Sequence, residues 1–131
     1  MEKDFVTYKQ ALALKELGFD EPCFGDYYKF DNNDIHLDTA DDRHRIITDN
    51  KDEVIIEISA PLYQQAFRFF REKHNMNSQI AFCEYAIKTE NSWKFTFDNP
   101  TGRQYWEGEY KTYEEAEQNC LDKLIEICKN K

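Results

Sequence analysis

The segment from Ala60 to Lys73 constrains the fold more than any other part of the chain. At about 100° per residue, Leu62, Tyr63, Ala66, Phe67, Phe69 and Phe70 occupy an arc of roughly 160°, with Gln64, Gln65, Arg68, Arg71 and Glu72 opposite them. An aromatic arc this wide cannot be left in water. The helix must lie on a sheet or be clasped between elements. Ser59 or Ala60 is its predicted start, with Pro61 at the first helical position, where a missing N–H costs nothing.

Two further helices carry their own boundary signals. Thr7 with Gln10 three residues on forms a capping box, and Val6 is placed to staple onto Ala11. Ala11, Leu14 and Leu17 give the apolar stripe, and Gly18 stops the helix with Phe19 folding back toward Leu14. Near the other end, Thr112 and Glu115 repeat the capping pattern. Tyr113, Ala116, Cys120, Leu124, Ile127 and Cys128 follow at helical spacing, broadened by Leu121.

The stretches between read as strands. Cys23 to Phe30 is aromatic and short, and Asp31-Asn32-Asn33-Asp34 is a strong turn signal. Ile35 and Leu37 then alternate with His36 and Asp38. Arg45 to Ser59 reads as a hairpin interrupted at Asp49-Asn50-Lys51-Asp52, with Val54, Ile56 and Ile58 on one face and Glu57 on the other. Gln79 to Lys88 is apolar on both faces, as a central strand would be. Trp93, Phe95 and Phe97 alternate with Lys94 and Thr96, and Tyr105 to Lys111 follows after the turn Asn99-Pro100-Thr101-Gly102. The expectation is one α+β domain of 131 residues. Its order is α–ββ(ββ)–α–βββ–α, an antiparallel sheet of roughly five strands packed with three helices.

Charge is unevenly placed. Of the formal net −9, residues 20–60 carry twelve acids against four bases, a net of −8. Such a stretch repels nucleic-acid backbones and favours basic partners or cations, though a solvated face that aids solubility has the same composition. Its candidate contact residues are Asp31, Asp34, Asp38, Asp41, Asp42, Asp49 and Asp52. Asp34, His36 and Asp38 would also project from one face of a strand, where two carboxylates and an imidazole could hold a divalent ion. Exposed acids beside a turn explain the same letters, and the loop lacks the glycine and distal glutamate of an EF-hand.

Other chemistry is harder to find. No GxSxG elbow appears, and no cysteine has an evident histidine and acid partner, so a binding protein is expected rather than an enzyme. Gly18, Gly25, Gly102 and Gly108 are too dispersed for a phosphate-binding loop, and no cofactor is expected. Three strands followed by a helix over residues 79–129 is the order of double-stranded RNA-binding cores. Those grip phosphate with a basic helix N-terminus, whereas Glu114, Glu115 and Glu117 stand here, so no nucleic-acid partner is expected. Arg68, Arg71 and Arg103 read as solvated bases. Tyr63, Phe67, Tyr85, Trp93 and Trp106 could line the pocket of a small-molecule binder or small enzyme between the central helix and the sheet, although ordinary core packing explains them better. Self-association is compatible with so aromatic a chain.

The four cysteines, Cys23, Cys83, Cys120 and Cys128, lack CxxC spacing. Cys120 and Cys128 would sit roughly 12 Å apart along one helix, too far for a bond, so reduced thiols are expected. No apolar run approaches a membrane span, and the opening Met1-Glu2-Lys3-Asp4-Phe5 has no basic stretch leading into an apolar one. No membrane association is expected.

Three segments carry a resemblance. Ala60 to Lys73 (APLYQQAFRFFREK) is similar to a central helix, and Tyr110 to Glu117 (YKTYEEAE), continuing to Ile127, to a C-terminal helix. Tyr8 to Pro22, with Leu17-Gly18-Phe19 and Glu21-Pro22, is similar to the opening. Together they resemble a family of small uncharacterised proteins of bacteriophages, prophages and mobile elements of gut bacteria. The resemblance implies an accessory protein acting in the cytoplasm of a bacterial host cell. It brings no site residues with it. The expected partner, on charge, is a protein with a basic surface, and in the sharpest form a DNA-binding protein occupied by a mimic of the nucleic-acid backbone.

Overall fold

The computed structural model describes residues 2–39, 52–83, 92–98 and 104–130. The chain divides into two compact units, Met1–Gln64 and Gln65–Lys131. Both mix helix with antiparallel sheet, so the α+β class is as expected. Among the described residues six strands, close to the roughly five expected, form two three-stranded antiparallel sheets where one was expected.

The first unit opens with a 3-10 turn, Glu2–Asp4, and helix α1, Tyr8–Glu16. Both ends of α1 form as the sequence dictates. Gln10 N donates to Thr7 Oγ1 at 3.2 Å, and Thr7 N donates to Gln10 Oε1 at 2.9 Å, completing the capping box. At the far end Gly18 adopts φ +97°, Gly18 N donates to Lys15 O, and Phe19 N donates to Leu14 O at 2.9 Å. Those two bonds define a Schellman ending, and glycine supplies the left-handed conformation it needs.

Strands β1 (Gly25–Phe30), β2 (Ile35–Thr39) and β3 (Val54–Ala60) make the first sheet in the order β2-β1-β3. Register pairs Tyr27 with Leu37 and Ile58 on one face. On that face the Tyr8 ring of α1 meets Tyr27 edge-on at 5.7 Å, and the Tyr27 hydroxyl donates to the Val6 carbonyl. The expected hairpin of residues 45–59 is half visible. Val54–Ala60 is a strand, and residues 45–51 lie outside the described residues.

The predicted start of the central helix needs correction. β3 runs through Ala60, and the helix, here α2, spans Tyr63–Lys73. Ala60 precedes a proline, which disfavours helical backbone there. Pro61 and Leu62 are instead engaged by the N-terminal segment: Val6 N donates to Pro61 O at 3.0 Å, and Phe5 bridges Leu62. Tyr63, at the head of α2, donates its hydroxyl to Gln10 Oε1 at 3.1 Å, adding to the capping box of α1.

In the second unit α2 ends at Lys73, and Asn75, with φ +54°, turns the chain so that Met76 N donates to Phe70 O. Phe69, Phe70 and His74 pack ring on ring at 5.1–5.6 Å. Strands β4 (Asn77–Cys83), β5 (Ser92–Asp98) and β6 (Gln104–Tyr110) form the second sheet in sequence order. β4 is therefore an edge among the described residues and not the expected central strand. Two successive antiparallel connections place β5 in the middle, where Phe95, Thr96 and Phe97 are all buried. Helix α3, Tyr113–Lys129, packs on β4, β5 and β6 through Ala116, Cys120, Leu121, Leu124, Ile125 and Cys128. Thr112 caps it by accepting from Glu115 N at 3.1 Å.

Between Trp93 and Phe95 the β5–β6 register slips by one residue. The extra residue on β6 falls at Gly108, with φ +96°, which is the conformation of a glycine bulge. Tyr110 folds over the bulge so closely that a Cβ at Gly108 would lie 2.0 Å from its ring, and that ring stacks on Phe95 at 6.1 Å.

Candidate functional site

Part of the acidic stretch gathers at one end of the first sheet. The β1–β2 turn closes with Asn33 N donating to Phe30 O, and Asn33 takes φ +73°, a conformation asparagine tolerates better than most residues. Asn32 organises what surrounds it. Its Oδ1 accepts from Asp34 N at 2.9 Å, while its Nδ2 donates to Asp34 Oδ2 at 3.1 Å and to Asp52 Oδ2 at 2.7 Å. Asp31 N donates to Glu53 O at 2.8 Å, tying the turn to the residues that lead into β3. Asp31, Asp34, Asp52 and Glu53 are all exposed. Asp34 and Asp52 thus meet on a single amide, and the backbones of Asp31 and Glu53 are joined beside them.

The remaining predicted contact residues fare differently. Asp38 is corrected: it is fully buried, because β2 alternation places it on the same inward face as His36, and it offers the surface no carboxylate. Asp41, Asp42 and Asp49 lie outside the described residues.

That inward face holds the second polar cluster. Register sets Asp26 directly opposite Asp38, and Tyr28 opposite both His36 and Glu57. Asp26 is 8% exposed and Asp38 0%. The Tyr28 hydroxyl donates to Glu57 Oε1 at 3.3 Å, and the His36 ring stands edge-on to Phe30 at 5.2 Å. Asp26 has no part in the sequence expectations, although its alternation with Tyr28 and Phe30 was available to find it. The suggested ion site at Asp34, His36 and Asp38 does not assemble: Asp34 belongs to the exposed tip and Asp38 to the buried face. Among the described residues no three histidines, cysteines or acids are grouped to hold a metal ion.

The described thiols are poorly placed for nucleophilic chemistry, and the Cys83 side chain lies outside the described residues. Cys23, Cys120 and Cys128 are free. Cys23 donates to the Glu21 carbonyl at 3.3 Å, and burial, with the negative charges of Asp26 and Glu21, pushes its pKa up to about 11. A reactive cysteine needs the opposite shift. Cys120 and Cys128 are buried in α3, and the Cys128 thiol meets Met76 Sδ at 3.4 Å.

Of the aromatic residues proposed to line a pocket, Tyr63 is buried with its hydroxyl bonded to Gln10, and Phe67 is half-buried. Trp93 lies against Phe82 and Tyr113. Tyr85 and the Trp106 side chain are outside the described residues. Arg68 and Arg71 are exposed, as expected of solvated bases, and Arg103 is outside the described residues. Among the described residues no helix is long and apolar enough to cross a membrane. No protein-family model, curated protein or solved structure matches this chain.

Proposed function

We propose that this chain is a non-catalytic accessory protein of a phage or mobile element that binds a basic protein surface through its acidic tip. One observation carries the reading: Asn32 holds the Asp34 and Asp52 carboxylates together beside Asp31 and Glu53, all four exposed. Unlike charges scattered over a surface, converging carboxylates add their potentials at one place, which raises encounter rates with cationic partners. Lysine and arginine are absent from residues 30–39 and from 52 and 53, with Lys29 and Lys51 next to them in sequence.

The test is capture from bacterial lysate by the immobilised chain and by a variant carrying Asp31→Asn, Asp34→Asn and Asp52→Asn. A partner held at about 50 mM salt and released by about 300 mM, where screening shortens to several ångströms, supports the proposal if the variant loses it. A partner held equally by the variant, or indifferent to salt, removes the tip from the explanation. A reproducible rise in melting temperature with one nucleotide or metabolite would favour a small-molecule binder instead.

A further inference from the structure

The second unit carries an aromatic surface that its own core does not use. Phe82 of β4 is 47% exposed and Tyr113, the first residue of α3, is 40% exposed, although both are large and apolar-bodied. Half-buried Trp93 of β5 lies between them. Its ring centroid is 5.1 Å from Phe82 at an interplanar angle of 54°, and 5.4 Å from Tyr113 at 85°. The two outer rings therefore stand up from the indole plane instead of stacking flat on it. Register explains the meeting: Phe82 is the cross-strand partner of Trp93, and α3 starts where its first side chain reaches the same face.

Negative charge lies beside the rings. Glu114, Glu115 and Glu117 follow Tyr113, with Lys111 the one base from 110 to 117. The Tyr113 hydroxyl bonds the Glu117 carboxylate one helical turn on, and Glu114 also acts on it; burial first, and then these charges, raise its pKa. Aromatic faces carry partial negative charge and attract cations, most strongly where carboxylates add to the field. The same carboxylates count against a nucleic acid, whose phosphates they would repel.

We propose that Phe82, Trp93 and Tyr113 form a seat for the cationic side chain of a protein partner, an arginine or lysine, with Glu114 and Glu117 supplying the charge beside it. The seat is independent of the acidic tip and lies in the other compact unit. Either can fail without the other.

The experiment follows the Trp93 indole N–H by NMR in the full, isotope-labelled chain, assigned through Trp93→Phe. The probes are choline, its uncharged carbon isostere, acetyl-arginine amide and cellobiose. Choline and acetyl-arginine amide should shift the indole saturably, with the isostere at least about threefold weaker. Phe82→Ala, Tyr113→Ala and Glu117→Gln should each weaken binding about two- to fivefold, while Tyr113→Phe, which keeps the ring, restores most of it. Unchanged peaks elsewhere in the spectrum exclude misfolding of the variants. Equal binding of choline and the isostere, no saturable response to either cation, or a response to cellobiose alone would each overturn the proposal.

Discussion

Gly108 and the Tyr110 ring are closely fitted in the second sheet. A methyl group at Gly108 meets both a left-handed backbone and a ring 2.0 Å away, so Gly108→Ala should cost about 1–3 kcal/mol in urea unfolding, unless Tyr110 gives up its stack on Phe95. Thr96 offers the reverse case. It is buried at the centre of β5, and its hydroxyl has no hydrogen-bond partner among the described residues. Thr96→Val keeps the shape and removes the desolvated hydroxyl, and should raise stability by about 1 kcal/mol. Cys23 gives a pH signature. Its folded pKa is raised, so the folded state holds the thiol proton more tightly than the unfolded state. The associated stabilisation is complete below pH 9.0 and erodes as pH climbs to about 11. Alkylation mapped by mass spectrometry should be slow at neutral pH and keep accelerating up to about pH 11, where an unperturbed thiol levels off near 9.0.

At the level of elements, legibility follows how local the cause is. Both ends of α1 could be read because the capping box and the Schellman ending are made by residues three to five apart. Thr7→Ala should accordingly destabilise the chain by about 1 kcal/mol in the same unfolding assay, with the loss centred on α1 in amide exchange. The start of α2 is not legible locally: Pro61 is a good first helical residue in isolation, whereas Val6 and Phe5 draw Pro61 and Leu62 into extended pairing from far away in sequence. The place of β4 in its sheet is hidden for a related reason. Ile80, Ala81 and Phe82 look apolar on both faces, yet position in a sheet is decided by neighbours, and β5 has two.

For the molecule as a whole, the distribution of charge was legible but its geometry was only partly so. Residues 20–60 hold most of the net negative charge, and the turn at 31–34 was recognised. What no local pattern announces is that Asn32 reaches Asp52, or that strand register sets Asp38 against Asp26. A chain of net −9 is destabilised by self-repulsion, so its melting temperature should rise by a few degrees between about 10 and 300 mM sodium chloride. The Asp31→Asn, Asp34→Asn, Asp52→Asn variant should show a smaller rise in differential scanning fluorimetry.

The pairing of Phe5 and Val6 with Leu62 and Pro61 also sets a timetable for synthesis. About 55 residues separate the partners, so this closure waits until β1, β2 and β3 have all left the ribosome. Until then Phe5 and Val6, both buried in the finished protein, have no Pro61 or Leu62 to meet. Phe5 and Val6 are thus among the last residues of their unit to settle, and a nascent chain arrested before Pro61 should remain open to protease around them.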